Sequence, residues 1–333
     1  MKIFVTGVAG FLGSHIADRM LSLGHHVVGN DNLIGGSLDN IPKDVEFHKI
    51  DCCDFDKILG IIDDIDVVVH AAATAHEGFS VFSPNFITKN IYQASLSVIS
   101  AAINKGVKRI VFCSSMARYG NSKTPFTEDL IPAPVDPYGI AKVAVEDTLK
   151  VLAKVHNLEY NIAVPHNIIG PRQRYNDPYR NVISIMINRV LQGKPPIVYG
   201  NGEQKRCFSY VTDCVNCLEK LILSKEIKNE IFNIGPDEEE VSINIITNKI
   251  LNLLNSNLKP EHVADRPQEV KIALCSSNKA RQLLGYKTET DLDTAIQKTI
   301  DYITHNGVKK FDYAYPIEIC NSKTPLTWKN KLL

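Results

Sequence analysis

Tyr138 and Lys142 stand four residues apart in Tyr138-Gly-Ile-Ala-Lys142. On a helix this spacing puts a phenol and an ammonium on one face. A phenol with a pKa near 10 is a poor base at neutral pH. A nearby ammonium and an oxidised nicotinamide would both favour the phenolate and bring it into the range of general-base work. Ser114-Ser115 follows the apolar run Arg109–Cys113, and Ser115 lies 23 residues before Tyr138. A hydroxyl there can bind the same substrate oxygen. The chemistry these groups suit is proton transfer coupled to hydride transfer.

A cofactor site stands about 125 residues upstream, in Thr6-Gly7-Val8-Ala9-Gly10-Phe11-Leu12-Gly13. It follows the short apolar run Ile3–Val5 and opens a helical pattern. Glycines there let the backbone turn tightly and approach a pyrophosphate, which rests on the helix N-terminus. Asp31 ends the next strand, 18 residues past Gly13. Its carboxylate can accept bonds from ribose hydroxyls and would repel a 2′-phosphate, which favours NAD over NADP. No Arg lies between Gly29 and Leu38 to reverse that preference. Asp51-Cys52, after the third strand, is a weaker candidate to flank the adenine.

These groups need elements to hold them. Ile3–Val5, His26–Val28, Val45–His48, Val67–His70 and Arg109–Cys113 read as strands. Phe11–Leu23, Ala94–Asn104 and Asp136–Val155 read as helices between or after them. Strand and helix in alternation imply an α/β fold with a parallel sheet covered on both faces. Pro137 suits the first turn of the helix that carries Tyr138. The second half is broken by Pro165, Pro171, Pro178, Pro195 and Pro196. Helical patterns return at Asp213–Leu223, Ser242–Leu254 and Leu292–Ile303, and Ile231–Ile234 reads as a strand. Asn306–Leu333, with Trp328, yields no reading.

Composition narrows the class. The chain has 333 residues, 44% hydrophobic and 22% charged, with Lys plus Arg and Asp plus Glu balanced at 37 each. A neutral chain supplies no basic field for nucleic acid. No apolar run approaches the roughly 20 residues of a spanning helix, and the first strand begins at once. The protein therefore reads as cytoplasmic, with no membrane partner. Cys214-Val-Asn-Cys217 has zinc-like spacing but no second pair. Structural zinc wants four ligands, so free thiols and no metal are expected.

The whole pattern resembles the nucleotide-sugar epimerase/dehydratase branch of the extended short-chain dehydrogenases. Further motifs carry the likeness: His70-Ala-Ala-Ala73, Asn90, Tyr119-Gly120, Pro165–Gln173, Val198–Gln204, Arg206–Asp213, Asn233-Ile-Gly235 and Arg266-Pro267. It spans residues 1–305 and implies a Rossmann-type doubly wound parallel sheet with a smaller C-terminal α/β substrate domain. The domains implied are 1–164 for NAD, with 208–235 returning to it, and 165–333 mainly for substrate. NAD contacts implied are Gly7, Gly10, Phe11, Leu12, Gly13, Asp31, Asn32, Asp51, Cys52, Ala71, Ala72, Ala73, Asn90, Ser114, Tyr138, Lys142 and Pro165. Ser115, Tyr138 and Lys142 become the catalytic set. Ser115, Asn167, Asn181, Val182, Tyr199, Arg206 and Arg266 become substrate contacts, the arginines suiting a diphosphate.

Related dehydratases place Asp-Glu directly after the catalytic hydroxyl residue, and related decarboxylases keep a Glu there. This chain has Met116 and Ala117. The resemblance therefore implies hydride out and hydride back on a UDP-sugar, that is, 4-epimerisation, with nothing else acidic in the pocket. Epimerisation of UDP-glucuronate or of a CDP- or dTDP-sugar, and a non-catalytic sensor, are the alternatives. Ala273, at a position that gates such pockets by size, leaves room for a 2-acetamido group. Arg118 departs from the family run and reads as a surface residue, or else as a contact to an anionic group. Gln268 stands where relatives often have Gly. The resemblance also implies a homodimer through the Tyr138 helix, which Val143, Val145, Leu149 and Leu152 permit, although they equally suit the core.

Overall fold

The computed structural model describes residues 1–333. Six strands open the chain: β1 (Lys2–Thr6), β2 (His26–Asn30), β3 (Glu46–His48), β4 (Val67–His70), β5 (Arg109–Cys113) and β6 (Glu159–Pro165). Four shorter ones follow, β7 (Ile168–Ile169), β8 (Ile197–Tyr199), β9 (Lys205–Arg206) and β10 (Ser209–Tyr210), and then β11 (Glu230–Ile234). The main sheet has the order β11-β6-β5-β4-β1-β2-β3. All of its pairings are parallel. This is the Rossmann-type sheet, and its order reverses between β1 and β4, where a crevice must open at the carboxyl ends.

Helices α1 (Phe11–Ser22), α2 (Phe55–Ile61), α3 (Glu77–Ser80), α4 (Pro84–Thr88), α5 (Ala94–Asn104) and α6 (Pro137–His156) accompany the first half. Alternate residues of each strand feed opposite faces. Ile3, Val5, Val67 and Val69 pack with α1 and with α8 (Val211–Leu223). Phe4, Val68, Ile110 and Phe112 pack with α2, α5 and α6 on the other side. Cys214 and Cys217 are both buried on α8 within the first of these cores. The Asp136 carboxylate caps α6 by accepting from the Gly139 amide at 2.9 Å. On α6, Val145 and Leu149 are fully buried, which removes them from any partner surface, whereas Ile140, Val151 and Val155 are exposed.

The second half adds small units. Strands β12 (Val241–Ser242), β13 (Glu261–Val263) and β14 (Ile272–Ala273) complete the set. β9 lies between β12 and β14, and β13 pairs with β8. Helices α7 (Val182–Leu191), α9 (Ile243–Leu253) and α11 (Leu292–Asn306) pack together in this half, and α10 (Asn278–Leu284) packs on β11 and α8. No helix is long and apolar enough to cross a membrane.

Residues 307–333, which gave no reading as sequence, run back over the molecule as a strap. Asp312 pairs with Arg174 at 2.6 Å. The Glu318 carboxylate accepts from the amides of Asn85 and Phe86 at the start of α4. Tyr199 and Thr327 share a hydrogen bond at 2.7 Å. Trp328 is 1% exposed and stands edge-on to Phe79, Phe82 and Tyr179. The strap thus ties α3 and α4 of the first half to Arg174, Tyr179 and Tyr199 of the second.

Arg118 is neither a surface residue nor a substrate contact. It is 1% exposed and lies 3.1 Å from the buried carboxylate of Glu146. Glu146 also accepts from the Ser114 hydroxyl, and Arg118 donates to the Tyr119 oxygen, which donates to Asn233. A charge following the serines turns inward because α6 presents a carboxylate beneath them. Burial pushes Glu146 up, and Arg118 opposes that shift.

Two variants test these supports in denaturant unfolding. Trp328→Ala should cost about 3–5 kcal/mol, as a large side chain removed from a packed cluster does. Arg118→Met should cost about 3–5 kcal/mol, because it strands the buried Glu146 carboxylate. A loss below about 1 kcal/mol in either variant would contradict the corresponding packing.

Candidate active site

One cavity of about 430 Å³ runs along the carboxyl edge of the sheet, and every cofactor, catalytic and substrate residue expected from the sequence lines it. Each strand end delivers its share. β1 leads into the glycine turn, β2 into Asp31 and Asn32, and β3 into Asp51 and Cys52. β4 leads into Ala71–Ala73, β5 into Ser114 and Ser115, and β6 ends on Pro165. A π turn at Lys89–Gln93, between α4 and α5, sets Asn90 on the wall. Such turns recur at functional sites.

The glycine turn leaves no room for side chains. A Cβ on Gly13 would stand 2.2 Å from the Gly7 carbonyl oxygen, and Gly7 itself has φ +70° with Ala72 backbone 2.8 Å from its Cβ position. Helix α1 begins at Phe11, has no side-chain cap and carries no acidic residue in its first turn. Its opening amides therefore lack intrahelical acceptors and suit an anion. Thr6 braces the facing loop: its hydroxyl accepts from the Ala72 amide and meets His70 Nδ1 at 2.7 Å. Burial drops His70 to about 3, so it serves as a neutral bridge to Ser95.

Asp31 accepts from the amides of Ala9 at 3.2 Å and Leu33 at 2.7 Å, and its carboxylate faces the cavity. Burial raises it, and those amides oppose the rise. Asn32 donates to Asp51 at 2.9 Å. Burial pushes the Cys52 thiol up to about 12, which leaves it a neutral wall. This lining fits an adenosine diphosphate-ribose with free 2′- and 3′-hydroxyls.

Tyr138 is 4% exposed and faces Ser115, whose hydroxyl lowers its pKa. Burial and then Glu77 act more strongly, so the phenol stands well above its ordinary value. The expected lowering by Lys142 is absent. Lys142 Nζ donates to the Cys113 carbonyl at 2.7 Å and lies 5.9 Å from the Tyr138 ring centre. Burial drops this amine to about 8. The protein alone thus desolvates the phenol, and the opposing charge of Arg180 does not overcome that.

At the other end, Arg206 and Arg266 converge on one carboxylate. Glu269 lies 2.7 Å from Arg266 and 3.5 Å from Arg206, and Val270 O accepts from Arg206 at 2.6 Å. Arg266 also stacks over Tyr199, 4.6 Å from the ring centre. Gln268, between Arg266 and Glu269, has φ +60°, a conformation that favours glycine. Asn181 precedes α7 with φ +66°, Val182 opens that helix, and the Asn167 side chain bonds the Cys207 carbonyl. Ala273 pairs with Arg206 across β9 and β14 and contributes no atom to the cavity wall.

The sequence reading missed several wall residues. Glu77, Arg174, Arg180, Asp177 and Tyr315 all line the cavity, and Asp177 pairs with the buried His76 at 2.7 Å. Glu77 overturns the expectation that no other acid reaches the pocket. No motif marks it. Only the turn after β4 shows that its side chain is directed inward.

Comparison with known proteins agrees with this geometry. The model of the NAD dependent epimerase/dehydratase family matches residues 3–235. A UDP-N-acetyl-alpha-D-glucosaminuronate decarboxylase of Bacillus cytotoxicus is 34% identical, over 79% of this chain and 83% of its own. The crystal structure of UDP-glucose 4-epimerase from Thermotoga maritima with UDP-glucose is similar at a TM-score of 0.85 and 30% identity, over 92% of this chain and 99% of that one. A UDP-glucuronic acid 4-epimerase mutant from Bacillus cereus, in complex with UDP-4-deoxy-4-fluoro-glucuronic acid and NAD, gives 0.86 at 28% identity, over 92% of this chain and 100% of that one. The cofactor of this fold and lining is NAD. From its glycine turn to its seventh sheet strand, the chain belongs to the NAD-dependent epimerase/dehydratase family.

Proposed function

We propose that this protein is a UDP-sugar 4-epimerase acting on the UDP-glucose/UDP-galactose pair, with room for the N-acetylated pair. The observation that carries the reading is one cavity lined both by Ser115, Tyr138 and Lys142 and by two diphosphate-type arginines.

Tyr138 takes the proton of the sugar 4-hydroxyl and later returns it. Ser115 hydrogen-bonds the same oxygen and holds it against the phenol. Lys142, fixed by the Cys113 carbonyl, keeps a cation close to the phenol when protonated. When bound, NAD supplies hydride acceptance and return at C4 and, while oxidised, a positive charge that favours the phenolate. Arg206 and Arg266 grip the diphosphate, with Glu269 fixing both guanidinium groups, while the flat 4-keto sugar turns about its diphosphate link. Burial excludes water from the phenol throughout. Met116 and Ala117 offer no acid beside Ser115, which supports a reaction that ends at the epimer. Glu77 favours a second reading, in which an acid eliminates water from the keto sugar.

Proton NMR of the anomeric region with candidate UDP-sugars separates these readings. C4 epimers should form, and loss of water or carbon dioxide would refute the first reading. Tyr138→Phe should lower kcat by about 10²–10⁴-fold while NAD remains bound, as judged by its absorbance. Normal turnover would show that another group is the base. Ala273→Tyr should raise KM for UDP-N-acetylglucosamine more than for UDP-glucose, and equal loss on both would remove the argument from size.

A further inference from the structure

Two ionisable side chains of the cavity, Glu77 and Arg180, have no part in the proton and hydride chemistry of the epimerase reading. Glu77 opens α3, just past the loop that leaves β4. Its side chain is exposed and open to the cavity. It makes no ion pair or hydrogen bond, and only charges at longer range act on it. The charged groups facing it are Arg206 and Arg266, which favour its ionisation, and Asp136 and Glu269, which oppose it. Desolvation by the surrounding cavity wall acts more strongly than any of them and raises this carboxyl to about 6. Glu77 in turn is the strongest charge acting on the Tyr138 phenol. The carboxylate is therefore coupled both to the proton-transfer end and to the diphosphate end. The sugar of a UDP-sugar must sit between these two ends.

We propose that Glu77 sets the sugar class: it accepts hydrogen bonds from the hydroxyls of an uncharged hexose and turns away a uronic acid, whose own carboxylate would share the pocket. This rests on the UDP-sugar reading. An ionised carboxylate only accepts, so sugar hydroxyls suit it. A second carboxylate brought close to it is repelled. Arg180 could reverse the preference, since no carboxylate pairs with it. It acts on Tyr138, Lys142, Asp177 and Tyr315, and it is not among the charges felt by Glu77. A uronate drawn to Arg180 would still meet the repulsion of Glu77 within one narrow cavity.

The pH sign follows from the raised carboxyl. Below about 6 Glu77 is neutral and the discrimination is relieved, and above about 6 it is charged and the discrimination is full. Calorimetric titration of the NAD-loaded protein with UDP-glucose and with UDP-glucuronate, at pH 5 and pH 8, tests this without requiring turnover. At pH 8 the wild type should bind UDP-glucose about tenfold or more tighter. The ratio should shrink at pH 5, and in Glu77→Gln it should be small at both pH values. The wild-type pH series needs no variant, so a misfolded Glu77→Gln would not spoil the test. A wild type that prefers UDP-glucuronate at pH 8, or a ratio indifferent both to pH and to Glu77→Gln, would overturn the inference and leave the epimerase reading standing. Failure of both UDP-sugars to bind would remove the UDP-sugar reading and this inference with it.

Discussion

The parting of β1 and β4 is the constraint on which the rest of the molecule depends. Chain leaves these neighbouring strands toward opposite sides, so their carboxyl ends cannot be bridged and a crevice remains. The crevice stays narrow because backbone meets backbone across it. Gly7 lies so close to Ala72 that a single added methyl group would collide with it. Thr6 and the neutral His70 lock that contact from behind. Most groups that line this gap are carried by strand ends opening onto it, while Asn90 comes from the π turn and Tyr138 and Lys142 from α6. The nucleotide end of the cavity is thus rigid by construction.

At the chemical end the governing effect is desolvation. It raises the Tyr138 phenol, lowers the Lys142 amine and raises Glu77, each away from its charged form. A site built this way is poorly charged until its ligands arrive. Bound charge then counts for more than it would in water, because little solvent screens it. The arginine end follows the opposite strategy. Glu269 holds two guanidinium groups in place, at 2.7 and 3.5 Å, so less ordering remains for an anionic ligand to impose.

The sequence revealed most where backbone geometry leaves a local signature. Strand ends, the glycine turn and the Tyr138 helix are set by short-range periodicity and by residues that only one conformation accepts. Gln268 shows the same logic in reverse: the resemblance implies glycine there, and the structure holds glutamine at φ +60°, a left-handed position. What stayed hidden depends on contacts distant in sequence. Arg118 looks solvated until α6 places Glu146 against it. Ala273, expected from the resemblance to gate the pocket by size, pairs with Arg206 across β9 and β14 and is not part of the cavity wall. Trp328 carries no periodic pattern. Its meaning lies in Phe79, Phe82 and Tyr179, roughly 150–250 residues earlier in the chain.

The strap and the pocket are connected through one side chain. Arg174 lines the cavity, yet its guanidinium is occupied by Asp312 and by the Tyr315 hydroxyl, both from the strap. Without the strap this arginine would be a free cation in the cavity wall. With it, the charge is neutralised, and an aromatic ring takes the space beside His76 and Asp177. The strap therefore removes a positive charge from the cavity wall, while α3 adds the negative charge of Glu77. Both changes shift the balance of the pocket against anionic sugars, and they come from opposite ends of the chain.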